Sequence, residues 1–284
     1  MTLKLKSDTP SDSRTEEIFL TPPDAAIWQT LRREAKAISL DLWGTLLDDK
    51  HTPADTVLYS EQRQNYLRET LQRHGYIIHA ERMKAAYKHA WVYFDELWMR
   101  QQAFGAAEGL SEILRVLRAE LPSSEFWRVT QFFEEKLGAD APPELDNAAT
   151  AVKKLAARYP LALISDTAWT PGRVLRQVLD HYGILTCFRA LIFSGEVGVT
   201  KPHPRMFQLA LDGLGVKPHE CLHVGDLQRT DIAGAKAAGL HTAWICRQVY
   251  AGKLQENAGP EAIVKSVSEL AERLLFIPTS NSKY

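Results

Sequence analysis

From residue 143 onward the chain alternates short apolar runs with helical patterns, and this alternation constrains the fold more than any other feature. Helical spacing covers residues 147–157, 172–182, 204–214 and 231–238, and each is followed by an apolar run, 161–165, 190–193, 221–225 and 241–246. Each run is too short for a lone helix and is bounded by turn residues, so it reads as a buried parallel strand. Strands joined through helices need right-handed crossovers, which predicts an α/β fold built on a doubly wound parallel sheet. An earlier run, 37–42, supplies another strand and follows a short helix over 25–36.

The pattern changes between that first strand and residue 138. Tyr66, Leu67, Leu71, Met83, Ala86, Tyr87, Ala90, Trp91, Phe94, Leu97 and Trp98 recur at helical spacing with no strand between them. An all-helical insertion over 56–137 is expected, with Pro142-Pro143 marking the return to the α/β part. The expected organisation is therefore a core from 25–55 and 138–275 and a helical domain from 56–137, between a flexible tail over 1–24 and a second tail over 276–284. The first tail is rich in Ser, Thr, Asp and Pro, a composition that cannot bury enough apolar surface to order itself. The aromatic stripe of the insertion reads as core packing, the usual fate of aromatic residues at helical spacing.

Among 284 residues, 34 basic and 35 acidic side chains nearly cancel, so nothing argues electrostatically for nucleic acid or an anionic membrane surface. No stretch approaches the roughly 20 apolar residues that span a bilayer. The expected partners are small molecules or proteins, and no oligomeric interface is written in the sequence. Cys187, Cys221 and Cys246 lack metal-ligand spacing and read as free thiols of a reducing compartment. With a polar start and no secretory apolar segment, the expected location is cytoplasmic.

Parallel strands bring their carboxyl ends to one edge, where ligands of open α/β sheets bind. Asp41 lies at the end of the first strand, ahead of the Gly44-Thr45 turn. Taken alone, such a carboxylate is either a turn cap or a reacting group. Ser165 ends the second strand, Lys201-Pro202 follows the third, and Asp226 ends the fourth with Asp231 five residues on. Singly, Ser165 could cap a turn, Lys201 could be a surface amine and Asp231 could begin a helix. His223 is expected to pack in or beside the sheet.

The order Asp41-Leu42-Trp43-Gly44-Thr45, Ser165, Lys201-Pro202 and Gly225-Asp226 through Asp231 resembles the haloacid dehalogenase-like superfamily of hydrolases, which is mostly phosphatases. The resemblance covers residues 37–246, with the helical insertion in the place of the family's cap. It implies that Asp41 is the nucleophile and that Asp41, the Trp43 backbone carbonyl and Asp226 ligate magnesium, with Asp231 a further ligand or an orienting group. Lys201 would keep the acidic cluster tolerable and Asp41 ionised. Thr45, Ser165 and the backbone around Gly44 would donate to the transferred oxyanion. Asp166 and Trp169, beside Ser165, are further candidates for lining the substrate site, as is Trp43. Arg82, Tyr87, Trp91, Tyr93 and Trp98 are candidate contacts from the insertion.

One departure stands out. Phosphatases similar to this chain carry a second Asp, an acid and base, where Trp43 stands, and proton transfer of that kind is worth about 10²- to 10⁴-fold. The expected function is thus a magnesium-dependent phosphohydrolase with an unusual leaving group. The alternatives are a metal-free 2-haloacid dehalogenase and a catalytically impaired phosphate-binding domain. Dehalogenases carry an aromatic residue, commonly Tyr, at this position but replace the fourth-motif carboxylate by small neutral polar residues, whereas this chain keeps Gly225-Asp226 and Asp231. Phosphonatase-like cleavage, with Lys84 or Lys88 forming an imine, is disfavoured by the bulk of Trp43.

Overall fold

The computed structural model describes residues 25–48, 59–139, 141–246 and 258–276, so the expected tail over 1–24, the stretch 49–58 and, past Phe276, the expected tail over 276–284 lie outside the described residues. Its elements are, in chain order, α1 (Ala25–Glu34), β1 (Ala37–Leu40), α2 (Tyr59–Arg73), α3 (Ala80–Met99), α4 (Ala106–Leu117), α5 (Ser123–Ala139) and α6 (Ala148–Ala156). There follow β2 (Leu161–Ser165), α7 (Gly172–His181), β3 (Phe188–Phe193), α8 (Ser194–Val197), α9 (Pro204–Leu214) and β4 (Cys221–Gly225). The chain continues through α10 (Ala233–Ala237), β5 (His241–Ile245), β6 (Ala262–Val264) and α11 (Val267–Leu275).

All strand pairings in the sheet are parallel, in the order β3-β2-β1-β4-β5-β6. After β1 the chain winds outward through β2 and β3, then returns to place β4 on the other side of β1. This reversal opens a crevice beyond the carboxyl ends of β1 and β4, the usual ligand site of a doubly wound sheet. Every residue of β1, β2 and β4 is buried, as expected for strands covered on both faces.

Two apolar clusters sandwich the sheet. Ile38 and Leu40 pack with Leu31, Val152, Leu155 and Leu270 on one side, while Ala37, Ala162 and Ile164 meet Met206, Phe207 and Leu211 of α9 on the other. Between β1 and α6, helices α2 to α5 have a third cluster of their own around Leu67, Met83, Ile113 and Phe133. This is the all-helical cap.

The first strand stops at Leu40, two residues short of the apolar run, so Asp41 begins the loop. The expected helix over 231–238 is replaced by a wide π turn, Gln228–Ile232, that runs into the short α10. Asp231 is therefore not a helix-start residue: it sits inside the turn, where its Oδ2 accepts from the Leu227 amide at 3.0 Å. Turns of this kind often occur at functional positions.

Candidate active site

Four loops deliver polar side chains to the crevice. Asp41 is fixed at the mouth of β1 because its amide donates to the Val224 carbonyl of the neighbouring strand at 2.9 Å. The following turn is tight: the amides of Leu46 and Leu47 both donate to Leu42, and Gly44 donates to Leu47 at 2.8 Å. Gly44 has φ +71°, and a Cβ there would overlap the Asp226 carboxylate, so both conformation and space demand glycine. A Cβ on Gly225 would likewise overlap Asp231.

Lys201 ties the cluster together. Its Nζ donates to Asp41 Oδ1 at 2.5 Å and to Asp231 Oδ1 at 2.6 Å, and all three side chains are buried. The His223 Nε2 lies 3.4 Å from the same Asp231 oxygen, and its Nδ1 is 2.9 Å from Ser39 Oγ. His223 is thus fully buried within the sheet, as its placement in the strand predicts. Oxygen atoms of Asp41, Asp226 and Asp231 lie within 4.8 Å of one another.

The electrostatics follow from this crowding. Burial pushes the Asp41 carboxyl up to about 7, with the Asp231 charge adding to the rise and Lys201 opposing it. Burial would raise Asp231 too, but Lys201 and the His223 contact outweigh it and hold that carboxyl at about 2. For Lys201, burial disfavours the charge, and the surrounding Asp231, Asp41 and Asp166 reverse this and hold it above its ordinary value. Burial also raises Asp166 and lowers His223, which favours the neutral imidazole.

The residues fit a hard divalent cation. Asp41 Oδ2 is buried with no hydrogen-bond partner, and one lysine faces four carboxylates, those of Asp41, Asp166, Asp226 and Asp231. Oxygen donors without sulfur or imidazole favour magnesium or a similar ion.

A cavity of about 440 Å³ opens above this cluster. Its wall includes the expected Asp41, Trp43, Asp166, Trp169, Lys201, Asp226 and Asp231, and also Tyr87, Trp91 and Trp98 from the cap. Gly44, Thr45 and Ser165 lie behind the wall: the Thr45 hydroxyl is buried without a partner, and the Ser165 hydroxyl is 3.4 Å from the Asp166 carbonyl. Arg82 and Tyr93 point elsewhere, Arg82 donating to the Leu117 carbonyl and Tyr93 packing edge-on to Phe104.

Trp169 leaves the core loop after β2 and inserts into the cap cluster, where it stacks on Tyr87 with ring centroids 5.1 Å apart. Gly109 of α4 makes room, since a Cβ there would strike the indole. The sequence reading passed over Arg63, which lines the cavity from α2, and Arg229, whose guanidinium lies 4.1 Å from the Trp98 ring centroid. Arg63 shares the buried face of α2 with Leu67, Thr70 and Leu71. An arginine in that helical register, where an apolar residue is expected, is the signal that marks it.

A parallel sheet with an acidic cluster and a lysine at its switch point, under a helical cap, defines a class of α/β hydrolases. The family model for haloacid dehalogenase-like hydrolases matches residues 35–239, and the chain belongs to that family. Phosphoserine phosphatase of Thermus thermophilus is 38% identical over 116 residues, covering 41% of this chain and 45% of that enzyme. Glyceraldehyde 3-phosphate phosphatase of Pyrococcus furiosus is 40% identical over 103 residues, 36% of this chain and 41% of the relative. These matches span less than half the length of the curated relatives. The 2-haloacid dehalogenase of Pseudomonas syringae pv. Tomato shares the fold with a TM-score of 0.63 at 21% identity, over 85% of this chain and 98% of that one. Among the described residues, no helix is long and apolar enough to cross a membrane.

Proposed function

We propose that the chain is a magnesium-dependent phosphohydrolase that acts on a small phosphorylated molecule through a covalent intermediate on Asp41. The observation that carries this reading is the packing of Asp226 and Asp231 against Asp41, oxygens within 4.8 Å, with Lys201 bonded to two of the three. Bare carboxylates so close repel unless a cation joins them. Lys201 supplies one positive charge against these three carboxylates, and a divalent cation would balance the rest.

When bound, magnesium would neutralise phosphoryl oxygens, held by Asp41, the Trp43 carbonyl and Asp226, with Asp231 ligating or orienting. The Asp41 carboxylate attacks phosphorus in line, the bond from phosphorus to the leaving oxygen breaks, and that oxygen departs with its electron pair. Water then cleaves the aspartyl phosphate, releasing inorganic phosphate and restoring the carboxylate. Lys201, bonded to Asp41 Oδ1, favours the ionised carboxylate against the rise that burial imposes and fixes its direction. Thr45 holds a buried hydroxyl with no protein partner behind the cavity wall, a donor that the transferred oxyanion would meet on seating against the Gly44 turn. Trp43 cannot protonate a departing alkoxide, so the reading favours leaving groups that need little help, such as the carboxylate of an acyl phosphate.

Trp43 is also what favours the second reading, dehalogenation of a 2-haloacid, because halide leaves without a proton. Hydrolysis of acetyl phosphate and p-nitrophenyl phosphate with magnesium, abolished by EDTA, is the expected result. Turnover of 2-chloropropionate in EDTA, with neither phosphate cleaved, overturns the proposal in favour of dehalogenation. Phosphate-analogue binding without turnover of any of the three would mark a binding domain.

A further inference from the structure

The cap wall of the cavity holds an unmatched set of hydrogen-bond donors. Arg63 is only 5% exposed; its Nε donates to the Phe133 carbonyl at 2.9 Å, and its Nη2 is buried with no partner. No carboxylate among the described residues pairs with it. The Tyr87 hydroxyl lies beside the Arg63 and Trp91 side chains but, like the Trp169 indole nitrogen, is buried without a well-aligned hydrogen-bond partner, and Arg63, Tyr87 and Trp169 all line the cavity. The Arg63 guanidinium carbon lies 5.8 Å from the Trp169 ring centroid, and Trp169 stacks on Tyr87, so the three donors form one patch. A buried guanidinium without a counter-ion is costly, and three such donors are left unmatched unless an acceptor arrives from the cavity.

We propose that Arg63, Tyr87 and Trp169 form a carboxylate-binding patch, so that the substrate is a phosphorylated molecule bearing a carboxylate on the side away from the phosphoryl group. This rests on the phosphohydrolase reading of the Asp41 site. The acids of the cavity, Asp41, Asp166, Asp226 and Asp231, all belong to the sheet edge, whereas the Arg63 guanidinium comes from the cap, beside the Trp169 ring that reaches into it. The cavity is thus polarised, with a cation-binding floor for the phosphoryl group and a cationic roof for a second anion. A planar carboxylate matches a guanidinium edge flanked by a hydroxyl and an indole N–H. The aromatic rings of Trp91, Phe94 and Trp98, which also line the cavity, suit an apolar body.

The test compares 4-carboxyphenyl phosphate with its neutral isostere 4-carbamoylphenyl phosphate, using the full chain with magnesium. The expected kcat/KM ratio is about tenfold or more in favour of the carboxylate, carried by KM, the size of one charge-assisted hydrogen bond. Arg63→Gln should bring the ratio close to one. Tyr87→Phe, which keeps the ring and removes only an unpartnered hydroxyl, should lower it several-fold and serves if Arg63→Gln does not fold. A wild-type ratio near one, or a ratio that neither variant moves, overturns the proposal. If neither ester is cleaved, the phosphohydrolase reading fails by itself, and tryptophan fluorescence titration with benzoate and benzamide decides the patch. Benzoate at least tenfold tighter in the wild type but not in Arg63→Gln supports it, and equal affinities overturn it.

Discussion

The indole nitrogen of Trp98 donates to Oδ2 of Asp166 at 3.0 Å, while Oδ1 of the same carboxylate accepts from the Lys201 amide at 2.9 Å. One half-buried carboxylate thus joins the end of α3 in the cap to the loop that carries the site's lysine. Arg229, over the Trp98 ring, adds a cation–π contact from the core side. Trp98→Phe keeps an aromatic ring against Phe94 but leaves an Asp166 oxygen unsatisfied. It should cost about 1–3 kcal/mol in urea denaturation. Asp166→Asn, with its carbonyl kept toward Lys201, turns an amide nitrogen toward the indole and loses the same bond. In a double-mutant cycle the pair should show a coupling of about 1 kcal/mol or more. Additive effects would mean that this bond does not fasten the cap.

Much of this arrangement is legible in the sequence because strand ends and helix periods are local properties. The runs at 161–165 and 221–225 match β2 and β4, and residues 204–214 match α9, since apolar patterning and the Pro204 start specify them directly. β6 and α11 escaped, although Ser266 and Glu269 mark a helix start: Ser266 Oγ accepts from the Glu269 amide, and Glu269 accepts from Lys265. Three-residue β6 is too short to show a period. The partners of Asp166 were hidden for another reason. Position predicts a carboxylate at the sheet edge, but Trp98 meets it across 68 residues of chain, and only the packing of cap on core brings them together. Arg63 is similar, since its isolation depends on which helices surround it.

Lys201→Met tests whether the acidic cluster is balanced as its geometry implies. The variant removes the partner of both Asp41 and Asp231, leaving buried carboxylates with no counter-ion. Metal-free protein should lose about 3–5 kcal/mol. Magnesium should raise the thermal midpoint of both proteins, and by more in the variant, because ligand binding to the folded state alone stabilises it. Phosphate ester turnover should fall by about 10²-fold or more, as for removal of a transition-state donor. Equal shifts with and without magnesium in both proteins would dissociate the carboxylates from any cation site.

Trp43→Asp restores a proton donor to a site that lacks one. The indole packs partly buried against the core cluster and also faces the cavity, so the exchange sacrifices apolar contact and lowers stability. Hydrolysis of an alkyl phosphate should rise by up to about 10²-fold, while acetyl phosphate, whose leaving group needs no proton, should gain far less. Steady-state rates for the two substrates supply the comparison. An equal gain for both, or none for either, would assign Trp43 to shaping the pocket instead.

Cys221, at the start of β4, gives the fold a pH dependence of its own, linked to the acidic cluster only through Ser39 and His223. Burial pushes its thiol up to about 11, only partly offset by the Ser39 hydroxyl at 3.8 Å. Below the unfolded thiol value, about 8.5, both states hold the proton and stability is unaffected. Between that value and about 11 the unfolded chain has released its proton and the folded chain has not, so unfolding is favoured as pH rises. The loss is at most about 1.4 kcal/mol per pH unit across that window. Cys221→Ala removes this contribution at the cost of a small cavity. Its urea-unfolding free energy should therefore fall less than that of the wild type between pH 8 and pH 10, and parallel declines would show that the buried thiol ionises as readily in the folded state as in the unfolded chain.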